Sequence, residues 1–237
     1  MTQLEKKLKQ YFNYDHFRPG QREAVETAVQ GVNSLVMLPT GTGKSLCYQL
    51  SGYINQNLTL IVSPLISLMM DQVFQLKQQG EKQVAALTSF QDRREKNYIL
   101  SHLHDYKFIY LSPEMLFQAH VLDKLSGEKI GLFVVDEAHC ISQWGMDFRP
   151  EYLMLGDVRE KLNYPTTMAL TATANQAVRK DIQASLFPEA ADGVKEIFST
   201  VDRPNIKYSV RQVAPGRKEE ALLQLTEALQ GPGIIYF

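Results

Sequence analysis

The chain predicts an α/β fold, a parallel sheet with helices on both faces that carries a phosphate-binding loop at one rim. Three observations lead there. Short apolar, β-branched runs alternate with amphipathic stretches along most of the length. The first run leads straight into the glycine-rich string Leu38-Pro-Thr-Gly-Thr-Gly-Lys-Ser45, and a later one ends in Asp136-Glu137-Ala138-His139. Alternation of this kind marks parallel strands joined by covering helices, with ligands at the carboxyl ends of the strands.

In chain order, Leu4, Leu8, Tyr11 and Phe12 recur at helical spacing in a lysine-rich opening segment. Gln21–Val29 reads as a second helix, entered after Arg18-Pro19-Gly20. Strands are expected at 34–37, 58–62, 84–87, 108–111, 132–135 (its apolar run opening at Ile130) and 166–170. After about residue 190 the pattern changes. Ala190–Gly193 reads as a loop, Lys195–Thr200 as a last strand and Asp202–Asn205 as a turn out of the domain. Ile206–Val213 and 232–237 are strand-like, with a helix from Arg217 to Leu229 between them. An isolated β-α-β piece cannot cover its own apolar faces. The expected division is therefore 1–205 as one domain and 206–237 as the incomplete start of another.

Composition is ordinary for a globular protein, with 44% hydrophobic and 22% charged residues. A net charge of −1 gives no global attraction to nucleic acid, so such binding has to come from local patches. The two cysteines, Cys47 and Cys140, form neither a disulfide framework nor an all-cysteine zinc site, and are expected as buried thiols. No window approaches the ~18 apolar residues of a membrane span, and the expected location is the cytoplasm.

The two motifs describe the halves of a site for Mg²⁺ and a nucleoside triphosphate. Thr40, Gly41, Thr42 and Gly43 turn the chain into a helix beginning near Lys44, which aims backbone N–H groups and a helix N-terminus at one point. Lys44 supplies a charge for the outer phosphates, and the Ser45 hydroxyl is placed to ligate Mg²⁺. Asp136 would hold the metal through its shell, and Glu137 would polarise the attacking water.

Further blocks carry a resemblance. Phe17-Arg-Pro-Gly-Gln21, Pro39–Ser45, Val62-Ser-Pro-Leu-Ile-Ser-Leu68 and Asp136–Tyr152, with Cys140-Ile-Ser-Gln-Trp-Gly145 the most specific part, closely resemble the first motor lobe of the RecQ family of superfamily-two DNA helicases. The resemblance runs from about residue 8 to Phe237. It implies a RecA-like, P-loop NTPase lobe of the DEAH type, followed by the start of a second RecA-like lobe. It also implies ATP and Mg²⁺ as ligands, single-stranded or partly duplex DNA as partner, and 3′-to-5′ translocation and unwinding by the complete protein. A nucleotide-gated nucleic-acid-binding module without turnover and an RNA helicase of the DEAD or DEAH type are the alternatives.

The resemblance assigns roles residue by residue. Tyr14, Arg18 and Gln21 match the adenine-reading motif, the Gln21 amide being able to donate to and accept from a base edge. Alternatively, Tyr14 and Phe17 are core aromatics and Gln21 a surface amide. Ser63-Pro64 and Ser112-Pro113 match segments that grip single-stranded DNA through its phosphates, although serine before proline also caps helices. Gln143, Trp144, Phe148 and Arg149 match a DNA-sensing loop joined to the catalytic strand. Trp144 could instead be a core anchor. Thr171 and Thr173 match a relay toward the other lobe, or else cap the next helix. His139 is expected to couple sites and not to hold a metal.

Met146 departs from the family, which usually places histidine there, and Leu38, Thr42 and Asn13 replace common glycines. No Gly-Arg-x-Gly-Arg string occurs, so the arginine that stabilises γ-phosphate charge must come from elsewhere. Its lack typically costs ~10³–10⁵ in turnover, roughly 4–7 kcal/mol of barrier. This stretch alone is therefore expected to be nearly inactive.

Overall fold

The protein is described by a computed structural model that covers residues 2–145, 147–189, 194–199, 206–229 and 231–235. The chain divides into two units, residues 1–201 and 202–237.

The first unit is built on seven parallel strands in the order β3-β4-β2-β5-β6-β1-β7. These are β1 (Ser34–Met37), β2 (Leu58–Val62), β3 (Val84–Leu87), β4 (Phe108–Leu111), β5 (Ile130–Val135), β6 (Thr167–Thr171) and β7 (Lys195–Phe198). The helices of this unit are α1 (Gln3–Phe12), α2 (Gln21–Val29), α3 (Lys44–Ile54), α4 (Ile66–Gln78), α5 (Arg93–Ser101), α6 (Pro113–Leu116), α7 (Ala119–Ser126), α8 (Pro150–Leu153), α9 (Leu155–Lys161) and α10 (Gln176–Leu186).

The pleat of the strands sorts their apolar residues between two cores. Leu35, Leu60, Ile109, Phe133 and Ala169 point to the face covered by α5 to α10. Val36, Ile61, Tyr110, Val134 and Leu170 point to the face covered by α1 to α4. Both faces are apolar because both are covered, which is why these strands read as continuous hydrophobic runs instead of alternating ones. Each fully buried leucine or valine contributes roughly 1.5–3 kcal/mol over exposure.

Strand order decides what meets at the carboxyl rim. β6 lies between β5 and β1, and its pairing runs Val135 to Ala169 on one side and Met37 to Thr171 on the other. The chain leaving β1 therefore stands two strand spacings, about 10 Å, from the chain leaving β5. The end of β6 lies between them.

In the second unit, α11 (Lys218–Ala228) forms as expected, with an Arg217–Glu220 ion pair at 3.9 Å. Ile206–Val213 and residues 232–235 form no strand. This corrects the expectation, because a strand exists only through a neighbour's hydrogen bonds, and these segments make no ladder among the described residues. Tyr208 and Val210 are almost wholly exposed. The expected Ala190–Gly193 loop, the Asp202–Asn205 turn and Met146 lie outside the described residues.

Candidate nucleotide and nucleic-acid site

The phosphate-loop string leaves β1 through a hydrogen bond from Leu38 N–H to the Thr171 carbonyl, 3.2 Å. It then turns at Gly41 and Gly43, both with positive φ, and enters α3 at Lys44. Gly43, at φ +84°, also has no room for a side chain, since a Cβ would sit 2.7 Å from Gln21 Nε2. Thr42 closes the loop on itself, its Oγ1 donating to the Pro39 carbonyl at 2.6 Å. Thr40 and Gly41 are exposed at its tip.

Gln21 is 3% exposed, which removes the surface-amide alternative. Its Nε2 donates to the carbonyls of Thr42 (2.8 Å) and Gly43 (3.2 Å), and its Oε1 accepts from Arg18 N–H at 2.8 Å. The carboxamide is thus committed to the loop and does not stand free for a base. Arg18 adds a bond from Nη1 to the Gly41 carbonyl, 2.8 Å. Tyr14 is 54% exposed and so is no core aromatic. Tyr14, Arg18, Gln21, Gly43 and Ser45 line one cavity of about 290 Å³, together with glutamines of α3 and α4.

β5 delivers the carboxylates. Asp136 N–H bonds to the Val62 carbonyl at 2.9 Å, and Tyr152 Oη donates to the Asp136 carbonyl at 3.1 Å, so the backbone there is held from two sides. Burial and the adjacent Glu137 carboxylate push the Asp136 carboxyl up to about 6, against the Glu137 N–H, Lys44 and His139, which favour its ionised form. Glu137 turns into the left-handed region at φ 48°, and its N–H donates to Asp136 Oδ1 at 3.0 Å. A hydrogen bond with His139 holds the Glu137 carboxyl below the usual range, with the charge of Lys44 adding to it. Lys44 therefore lies within electrostatic reach of both carboxylates. His139 Nδ1 also lies beside Thr171 Oγ1, which in turn donates to the Thr173 carbonyl at 3.0 Å. The helix cap that Thr171 and Thr173 might have supplied comes from Asn175, which accepts from Val178 N–H at 2.9 Å.

The loop after β5 begins with a 3₁₀ turn at Ala138–Ile141 and projects Trp144 outward, 77% exposed, which rules out a core anchor. Gln143 is exposed, and Phe148 and Arg149 are half-buried. Arg149 reaches Asp147 (3.6 Å) and Glu114 of α6 (3.7 Å). Sequence reasoning missed the two groups that brace this loop. Ser142, 1% exposed, donates to Asp181 of α10 at 2.5 Å and accepts from Trp144 N–H at 3.1 Å. Gly145 comes so close to the turn that a Cβ would stand 2.2 Å from the His139 carbonyl oxygen.

Ser63, Pro64, Ser112 and Pro113 do stand at strand ends, but all four are buried. Ser112 Oγ caps α6 by accepting from Met115 N–H at 3.3 Å, while α4 begins at Ile66 with no side-chain cap. In this arrangement the Ser112 hydroxyl serves the cap, and the other three side chains are covered by neighbouring chain. Cys47 and Cys140 are buried free thiols pushed up to about 12 by burial.

Among the described residues no group of three or more histidine, cysteine or carboxylate side chains converges as a metal cage. The half-buried Asp136–Glu137 pair has Lys44 and His139 beside it, and the Asp136 carboxyl still stands above the ordinary carboxylate range. Such under-compensated charge, next to the Ser45 segment, suits a hard cation completed by ligand oxygens and water. No helix among the described residues is long and apolar enough to cross a membrane.

Comparison with known proteins agrees with this geometry. The DEAD/DEAH box helicase family model matches residues 18–182. A probable ATP-dependent DNA helicase RecS of Bacillus subtilis is 50% identical over the whole chain, which covers 47% of that protein. The ATP-dependent DNA helicase RecQ of Haemophilus influenzae is 40% identical over 97% of the chain and 36% of its own length. The chain thus spans less than half the length of these relatives. A hypothetical ATP-dependent RNA helicase of Sulfolobus tokodaii has the same fold, with a TM-score of 0.61 at 18% identity over 83% of this chain and 56% of that one. A phosphate loop and paired carboxylates on one rim, an indole-bearing loop beside them and these relatives lead to one assignment: the chain belongs to the DEAD/DEAH box helicase family, with RecQ-type DNA helicases among its relatives.

Proposed function

We propose that this chain is the ATP-binding motor lobe of an ATP-dependent DNA helicase. In this reading 1–205 is the RecA-like lobe and 206–237 the start of a second one. The complete protein couples hydrolysis to 3′-to-5′ movement on single-stranded or partly duplex DNA, in the cytoplasm or at the nucleoid. The carrying observation is the convergence of Lys44, Asp136 and Glu137, with His139 and Thr171 tied to the last of these.

Each residue then has a task set by its surroundings. The loop N–H groups and Lys44 hold the phosphates, and Tyr14 and Arg18 flank the base. Ser45 and Asp136 are the residues that would hold Mg²⁺, which would supply charge neutralisation at the phosphates when bound. Glu137, kept ionised by His139, orients and deprotonates the attacking water. Thr171, Thr173 and His139 connect this carboxylate to the Trp144 loop, where Gln143, Trp144, Phe148 and Arg149 meet DNA.

The test is DNA-stimulated ATP hydrolysis by the full-length protein and its Glu137→Gln variant. Loss of about 10²–10⁴ in kcat with nucleotide binding retained is expected. Equal turnover would show a nucleotide-gated binder, and stimulation by RNA instead of DNA would show an RNA helicase. The isolated chain should turn over at least ~10³ more slowly than the full-length protein, because the arginine finger is lacking.

A further inference from the structure

Away from the nucleotide rim, α5 and α7 enclose a cavity of about 790 Å³. Its α5 wall carries Arg93, Lys96 and Asn97, and its α7 wall carries Gln118, His120 and Lys124. No carboxylate lines it. Arg93 and Lys96 are one helical turn apart, as are His120 and Lys124, so each wall presents two basic groups on a single face.

Among the described residues Arg93, Lys96 and Lys124 have no ion pair, and Lys96 makes only a long 3.5 Å bond to the Ser89 carbonyl. The acids of α5 are engaged elsewhere: Asp92 caps the helix at Glu95 N–H, and Glu95 accepts from Gln91. Three cations facing one groove repel one another, and among the described residues none of them is relieved by an ion pair. In a chain whose net charge is −1, the arrangement is a local concentration of positive charge and not part of a general field.

The groove is also joined to the indole-bearing loop through packed helices. α6 packs against α7 on one side and α8 on the other, and Arg149, at the start of α8, reaches Glu114 of α6. Packing thus links the groove, through α7, α6 and α8, to Arg149 at the far end of the Trp144 loop.

We propose that this groove is a second contact for the nucleic-acid backbone, in which Arg93, Lys96 and Lys124 hold phosphates of DNA that extends past the Trp144 loop. This rests on the DNA-binding function proposed above. Neutralising three phosphate contacts on a single strand lowers the slope of log affinity against log salt by about 2, because each contributes ~0.7.

The experiment compares the full-length protein with an Arg93→Gln, Lys96→Gln, Lys124→Gln triple variant. Affinity is measured against salt, for short and long single strands and for strands with a duplex tail. An unchanged melting temperature and DNA-independent ATPase rate verify that the variant folds. The expected result is that a fourfold rise in salt weakens the wild type about twentyfold more than the variant on long DNA. Short oligonucleotides should bind both alike, and the tailed substrates tell whether the held phosphates belong to single strand or duplex. Equal salt slopes on every DNA would overturn the groove assignment. So would a variant that loses binding to polyglutamate but not to DNA, which would make the groove a site for an acidic protein. If the wild type itself bound no DNA, the functional reading of the whole lobe would fail instead.

Discussion

His139 Nδ1 lies 3.2 Å from Glu137 Oε2 and 3.1 Å from Thr171 Oγ1. The Thr171 hydroxyl hydrogen is used on the Thr173 carbonyl, so toward His139 this oxygen accepts. An ionised Glu137 also only accepts. The proton of the ring is thereby assigned to Nδ1, shared between a carboxylate and a hydroxyl. Through this imidazole, the end of β6 is hydrogen-bonded toward a carboxylate at the end of β5.

Replacing His139 with Ala removes the bond that holds Glu137 below the usual carboxylate range. The carboxyl then gains protons at higher pH. The acid limb of the kcat–pH profile should move upward, with kcat at neutral pH down about tenfold or more and nucleotide affinity nearly unchanged. Thr171→Val, which keeps the shape but removes the acceptor, should give a smaller loss in the same direction. A stationary acid limb in His139→Ala would show that Glu137 is controlled elsewhere.

Asp136 gives an opposite dependence. Its carboxyl is raised by burial from 3.8 to about 6, so between these values the folded protein binds more protons than the unfolded chain. Stability therefore falls as pH rises from about 4 to about 6, and above that the whole penalty, on the order of 3 kcal/mol, is present. Asp136→Asn retains the acceptor for Glu137 N–H and removes the charge. Thermal melting should show this variant more stable than wild type at pH 7–8 and equal to it near pH 4, with hydrolysis lost. No gain at neutral pH would contradict the burial argument.

Trp144 is a surface indole and the only tryptophan, which makes it a reporter. Single-stranded DNA should change its fluorescence, and Trp144→Ala should lose about 1–3 kcal/mol of DNA affinity, the value of one base stacked on an aromatic face. An emission spectrum unmoved by saturating oligonucleotide would exclude stacking.

The brace under that loop can be tested apart from DNA. Ser142→Ala leaves Asp181 without its buried donor and should cost about 1.5–3 kcal/mol, read by denaturant titration. Gly145→Ala should force the 3₁₀ turn and His139 to move, giving a comparable loss together with weaker stimulation of ATPase by DNA. Wild-type stimulation in Gly145→Ala would separate the loop from the carboxylates.

Much of this was legible in the amino-acid order. Strands at Leu58–Val62 and Phe108–Leu111 announce themselves because parallel strands covered on both faces are short apolar runs between turn residues. Partners across the fold were not legible. Gln21 reads as a base-reading amide, yet its donors are spent on two loop carbonyls, a contact set by packing of α2 against α3. Ser112 reads as a phosphate ligand that can also cap a helix, and the cap bond to Met115 N–H becomes visible only in the fold. Arg159 gave no local signal at all. It is fully buried, with Nε on Thr167, Nη1 on the Leu186 carbonyl and Glu189, and its guanidinium 4.7 Å from the Phe187 ring. That many partners drawn from separate elements cannot be inferred from periodicity. Ile206–Val213 has strand composition but forms no ladder among the described residues, and a ladder needs two sides.

The grip of Gln21 on Thr42 and Gly43 has a consequence for discrimination among nucleotides. One carboxamide has two hydrogens, and here both rest on the turn that would cradle phosphate. Donating to a purine edge would mean letting go of that turn, so the two contacts would compete. A base held by Gln21 would in that case be sensed in the shape of the cradle through one side chain.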